Sequence, residues 1–154
     1  MKKIVLVTGI GGLTPRSITT IIRENHPDYK IIGCDIDKKA VGFFMTMRDG
    51  RKLVDEYYIC PRCDKDEYFP WIEKLVAEKK IDYAFVQPEA EIVKWGEYFE
   101  KNGKYPCPVF MGSKVLSESL RDKSIMADLL EGTPGLLQIF QRSAVLCRLH
   151  LLLA

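Results

Sequence analysis

The sequence withholds several groups on which enzyme sites are commonly built. Only two histidines occur in 154 residues, His26 in a polar turn and His150 near the end, and neither has a neighbour that would make it an acid, a base or a ligand. No tyrosine is followed four residues later by a lysine, which removes the acid–base pair a short-chain reductase or epimerase needs. Charge of one sign is also missing: 23 Lys and Arg against 21 Asp and Glu leave a net charge of +2, with no broad basic field for nucleic acid or an anionic membrane. No apolar stretch reaches the roughly 20 residues that span a bilayer, because Arg142, Arg148 and His150 interrupt the apolar ending. Lys2 and Lys3 precede only a short apolar run, so no secretory leader is read; five cysteines then fit a reducing compartment, and the cytoplasm is expected. Cys60 and Cys63 form a C-x-x-C, but no second pair or histidine follows at zinc spacing and the pair leaves a strand, so no metal site is expected.

What remains is the composition of a soluble globular domain, 47% hydrophobic and 29% charged, with short apolar runs alternating with helix-like segments. Strands are predicted at residues 3–8, 29–37, 53–60, 81–88 and 107–112. A helix follows the first strand, with Thr14 as its cap, Pro15 in its first turn and Ile18, Ile21 and Ile22 on one face. Residues 66–80 carry Phe69, Ile72 and Val76 at helical spacing with Pro70 in the first turn, and residues 89–103 form a helix closed by Gly103. Residues 38–52 lack a clean period and read as loop with one short helical piece. Parallel strands need crossovers, so this order predicts a Rossmann-like, doubly wound α/β sheet of about five parallel strands covered on both faces. Tyr57, Tyr58, Tyr68 and Trp71 read as packing groups rather than a stacking platform.

The candidate site is the loop Gly9-Ile10-Gly11-Gly12, where the first strand breaks into a helix. In such a sheet ligands lie at the carboxyl ends of the strands, where backbone N–H groups and a helix start favour an anion. Gly9 and Gly11 match the first two glycines of a dinucleotide fingerprint, but Thr14 or Pro15 stands in place of the third. Asp35 ends the second strand, the position of a ribose-binding acid. Two uses stay open for these residues: a small-ligand site, or a tight turn beside a solvated acid.

The order of "VLVTGIGGLTPRSIT", "IIGCDID", "DEYYICPRCDKDEYFPWIEKLVAEKKIDYAFVQPEAEI" and "GSKVLSESLRDKSIMADLLEG" resembles the amino-terminal region of ATP-grasp carboxylate-amine ligases, in particular proteins like the carbamoyl-phosphate synthase large subunit. The resemblance covers about residues 3–132. It implies a pre-ATP-grasp Rossmann-like domain at 1–112, a helical hinge at 113–132 and an atypical apolar tail at 133–154. It further implies that Gly9, Gly11, Gly12, Asp35 and Glu89 face a small carboxylate or nucleotide rather than NAD, and that Arg121 and Lys123 match an ATP-contacting segment. ATP and magnesium belong to the complete family enzyme; this chain departs from the family after residue 132, so no catalytic residue is assigned, and neither is expected to bind it tightly alone. A stand-alone nucleotide- or metabolite-binding module and a reduced NAD-dependent epimerase or reductase are the alternatives.

Beyond Thr133 the chain contains no acid, while Leu136, Leu137, Ile139, Phe140, Val145, Leu146, Leu149 and Leu151 to Leu153 add apolar surface beyond the needs of the preceding domain. Residues 136–153 are expected to pack as helix on the domain's flank or against the same segment of a second molecule, making a homodimer.

Overall fold

The computed structural model describes residues 2–114, so the expectations for Arg121, Lys123, the hinge after Lys114 and the apolar tail lie outside the described residues. Five strands, β1 (Ile4–Thr8), β2 (Lys30–Asp35), β3 (Glu56–Ile59), β4 (Tyr83–Phe85) and β5 (Val109–Phe110), form one sheet in the order β3-β2-β1-β4-β5. Every pairing is parallel, with Leu6 opposite Ile32 on one side and Ala84 on the other. Among the described residues three α-helices accompany the sheet: α1 (Leu13–Asn25), α2 (Tyr68–Lys79) and α3 (Glu89–Asn102). This is a Rossmann-like α/β fold, as the alternation of apolar runs predicts.

The alternation of side chains along the strands builds two cores. Leu6, Ile32, Cys34 and Ala84 face α2 and α3, meeting Tyr68, Ile72, Leu75, Ile92 and Trp95. Val5, Val7 and Ile31 face the other way, meeting Ile22 of α1 and Ala40, Phe43, Leu53 and Val54 of the β2–β3 connection. Each fully buried aliphatic side chain contributes about 1.5 to 3 kcal/mol, which is why the central strands read as unbroken apolar runs. The β2–β3 connection does the work of a helix on that face, with a single 3₁₀ turn at Val41–Phe43 and a bridge between Thr46 and Lys52.

Several local expectations are corrected. Gly12, not Thr14, caps α1, and Thr14 lies inside the first turn without a side-chain cap bond. Ile21 is exposed; Pro15, Thr19, Ile22 and Arg23 are the buried residues of that helix, while Ile18 packs at the margin of the core. The third strand is shorter than residues 53–60 because Asp55 takes the Ile31 N–H with its own carboxylate at 2.7 Å. Its apolar lead-in, Leu53 and Val54, goes into the core instead. The last two strands are also shorter than expected; Pro106 and Pro108 offer no backbone donor to the edge strand. The helix ends hold: Gly103 closes α3 at φ +69° and Pro70 sits in the first turn of α2. No helix among the described residues is long and apolar enough to cross a membrane.

Candidate functional site

The strand order reverses between β1 and β4, whose following helices lie on opposite faces, and in open sheets of this kind the carboxyl ends of such strands are where a ligand crevice is expected. The glycine loop forms one wall. Gly9 turns the chain at φ +63°, a left-handed conformation that glycine adopts at little cost. It also lies against the next wall: a Cβ at Gly9 would come within 2.5 Å of the Pro88 ring. Ile10 donates its N–H to the Cys34 carbonyl at 3.1 Å, and Gly12 donates to the Gly9 carbonyl at 2.9 Å.

Asp35 closes the arrangement. Its Oδ2 accepts the Gly11 N–H at 2.8 Å and its Oδ1 accepts the Asp37 N–H at 3.0 Å, so the acid at the end of β2 is bound to the loop it was expected to accompany. A side chain at Gly11 would meet this carboxylate at 3.0 Å and Ala40 at 3.2 Å. Gly42 is equally constrained, since a Cβ there would fall 2.2 Å from the Ile10 carbonyl oxygen. The 3₁₀ turn therefore packs backbone to backbone on the glycine loop. Arg16 reaches back from α1 to the Gly12 carbonyl, Nε to oxygen 2.9 Å. The N–H groups of Ile10, Gly11 and Gly12 are thus all used within the loop and its buttress.

Glu89 opens α3 immediately after Pro88 and is exposed, a placement that suits the positive end of the helix. The structure brings the glycines, Asp35 and the β4–α3 turn to one end of the sheet, the last through the Gly9–Pro88 contact.

The group that sequence reasoning missed is Glu91. It lies two residues further on and is only 6% exposed. Tyr68 donates its hydroxyl to Glu91 Oε2 at 2.9 Å, and Trp95 donates Nε1–H to the Tyr68 oxygen at 3.1 Å. Burial raises the Glu91 pKa and Asp35 adds to the rise, while the Thr8 hydroxyl and the Tyr68 hydrogen bond oppose it. Burial likewise pushes the Tyr68 phenol up, with Glu91 the next cause. The signal was present in the helical phase: Glu91, Ile92 and Trp95 share the buried face of α3.

Cys34, Cys60 and Cys63 serve packing. Cys60 is buried in the core with Cys34, and Cys63 packs against it. The Cys34 thiol is raised by its hydrogen bond with Cys60 and by burial, and Cys63 is raised by burial, the opposite of what a reactive thiolate needs. Tyr58 and Trp71 pack on the same core and Tyr68 is wholly inside it, whereas the half-exposed Tyr57 stacks on Phe43 with ring centroids 4.6 Å apart.

No protein-family model matches the sequence, and no curated protein does. Several solved structures are similar in part, two of which follow. One is the dTDP-glucose 4,6-dehydratase of Bacillus anthracis in complex with NAD, 14% identical, covering 71% of this chain and 36% of that chain with a TM-score of 0.48. The other is the ADP-L-glycero-D-manno-heptose-6-epimerase of Helicobacter pylori, 15% identical, covering 82% of this chain and 51% of that chain, also with a TM-score of 0.48. The chain spans about a third to a half of the length of these two proteins.

Proposed function

We propose that the crevice takes a nucleotide or a small carboxylate, and that the domain serves as the amino-terminal part of an ATP-grasp type carboxylate-amine ligase, with ATP and magnesium handled beyond residue 114. The observation that carries this reading is the Gly11–Asp35 hydrogen bond. A dinucleotide site needs loop amides directed at a pyrophosphate and a strand-end acid directed at a ribose. Here the amide and the acid are spent on each other, which suits a loop that shapes a wall better than one that cradles a pyrophosphate. The sequence resemblance, in which Arg121 and Lys123 match an ATP-contacting segment, supports the same reading.

A second reading, an NAD-dependent epimerase or reductase domain, is favoured by the position of Asp35 at the carboxyl end of β2 beside the switch point. Each carboxylate oxygen has a second lone pair, so Asp35 can accept a further hydroxyl while holding Gly11. The two readings part in a calorimetric titration of the full chain with NAD, NADP, magnesium ATP and bicarbonate. Under the first, NAD and NADP bind no tighter than the millimolar range; low-micromolar affinity for either overturns it and promotes the second.

A further inference from the structure

The two edges of the sheet are finished differently. β5 is two residues long and follows directly on Pro108, so that edge offers little to a further strand. β3 is longer and carries no proline or lysine, and its single charge, Glu56, is neutralised by Lys30 and Lys79. Among the described residues no strand lies outside it.

β3 also shows an uncovered apolar face. Side chains alternate along a strand: Tyr58 packs on the core beneath α2 and α3, while Tyr57 points to the opposite face and stacks on Phe43. The β2–β3 connection fills that face over β1 and β2 and leaves the outer part of β3 open. Tyr57 is 48% and Ile59 55% exposed, and Phe44, edge-on to Tyr57, is 63% exposed.

The backbone fixes what a neighbour would meet. The even residues of β2 serve β1, since Lys30 donates to Lys3 and Cys34 accepts from Ile10. Its odd residues serve β3, as when Asp35 accepts the Cys60 N–H at 3.0 Å. With Cys34 opposite Tyr58, the ladder engages the even residues of β3, and Tyr57 and Ile59 turn their N–H and C=O groups to the open edge.

We propose that two copies of this chain pair antiparallel through β3, about a two-fold axis at Tyr58 that places Tyr57 of each copy opposite Ile59 of the other. The strand is self-complementary only in this register. Both outward residues then lie opposite each other, and each Tyr57–Ile59 pair exchanges its two N–H···O bonds. Their side chains form an aromatic–β-branched pair on the uncovered face. Asp55, already held by Arg23 and the Ile31 N–H, falls opposite Pro61, which has no donor and ends the ladder. An axis at Tyr57 would instead set the Asp55 carboxylate against Ile59 and leave one pair bonded. So short an edge buries less than the about 800 Å² per partner of a standard stable interface, and a reversible dimer is expected, dissociating on the order of 100 μM.

Sedimentation of the full chain over about 10 μM to 1 mM reads the equilibrium. Tyr57→Lys and Ile59→Glu are each expected to weaken it at least tenfold, because a charge then faces an apolar side chain twice in every dimer. An equimolar mixture of the two variants is expected to recover association: the introduced lysine of one chain lies opposite the introduced glutamate of the other, and the second Tyr57–Ile59 pair is intact. A wild-type chain that stays monomeric throughout overturns the proposal. So does association that survives either substitution, as pairing through the apolar tail would, and so does a mixture no better than its components. Should a variant fail to fold, hydrogen exchange of the wild-type chain decides. The Tyr57 and Ile59 amides are expected to slow as concentration rises while the Gly11 amide, bonded within the domain, does not; equal rates at both ends of the range overturn the pairing.

Discussion

Gly9 and Pro88 are in contact across the two turns that bound the crevice, and the space between them is too small for a methyl group: a Cβ at Gly9 would lie 2.5 Å from the proline Cγ and 3.1 Å from its Cδ. The close approach joins the first and fourth strands at the point where the sheet changes direction.

Replacing Gly9 by alanine is therefore expected to cost about 2 to 4 kcal/mol, the sum of a left-handed backbone penalty and overpacking. Alanine at Gly103, also left-handed at φ +69° but with nothing within 4 Å, is expected to cost only the backbone part. Urea unfolding of the two variants side by side measures the difference, and equal losses would mean that the Pro88 contact carries no energy.

Asp35 holds the Gly11 amide, so Asp35→Ala leaves a partly buried donor without its partner. The expected loss is about 1 to 2 kcal/mol, with Asp35→Asn losing less because its carbonyl oxygen still accepts. Faster hydrogen exchange at the Gly11 amide in the alanine variant checks the cause. Unchanged exchange would remove this bond from the account of the site.

Arg23 is buried at the far end of α1, donating to the Tyr29 and Leu53 carbonyls at 3.1 and 3.3 Å and to Asp55 at 2.7 Å, with its Nε left without a partner. Arg23→Ala removes the donors and opens a void beneath the β2–β3 connection. A loss of about 2 to 4 kcal/mol is expected, less than for a fully buried pair because Asp55 remains partly solvated. Thermal unfolding measures it, and a loss under about 0.5 kcal/mol, the range of ordinary surface changes, would contradict the structural role.

Glu56 has its pKa lowered to about 2 by hydrogen bonds from Lys30, then Lys79, then the Tyr58 hydroxyl. A depressed carboxylate stabilises the fold above its unfolded value and loses that contribution as pH falls through the folded one. The stability of the wild-type chain is thus expected to fall between about pH 4.5 and 2 more steeply than that of Glu56→Gln. Parallel acid limbs in denaturation series at fixed ionic strength would show that the two lysines contribute nothing.

Much of the fold was legible because it rests on local chemistry. Val5 to Val7 and Ile31 to Cys34 are apolar on both faces, which a strand covered on one side does not need, and Gly103 has the chemistry of a helix end. Strand lengths were less legible: pairing requires a neighbour at the right register, and nothing in "LVDEYYIC" says that Asp55 will take a ladder donor with its side chain.

The sequence by itself determined the alternation of strands and helices, the turn at Gly9 to Gly12 and the presence of an acid at the end of β2, since periodicity, glycine and chain order act over a few residues. Only the tertiary structure decided that Asp35 is spent on Gly11, that Gly42 packs against Ile10, and that Glu91 rather than Glu89 lies buried. These relations join residues 24, 32 and, for Glu91 with Tyr68, 23 positions apart. Their energies depend on distance and desolvation between elements, and those quantities exist only once the sheet has brought the elements together.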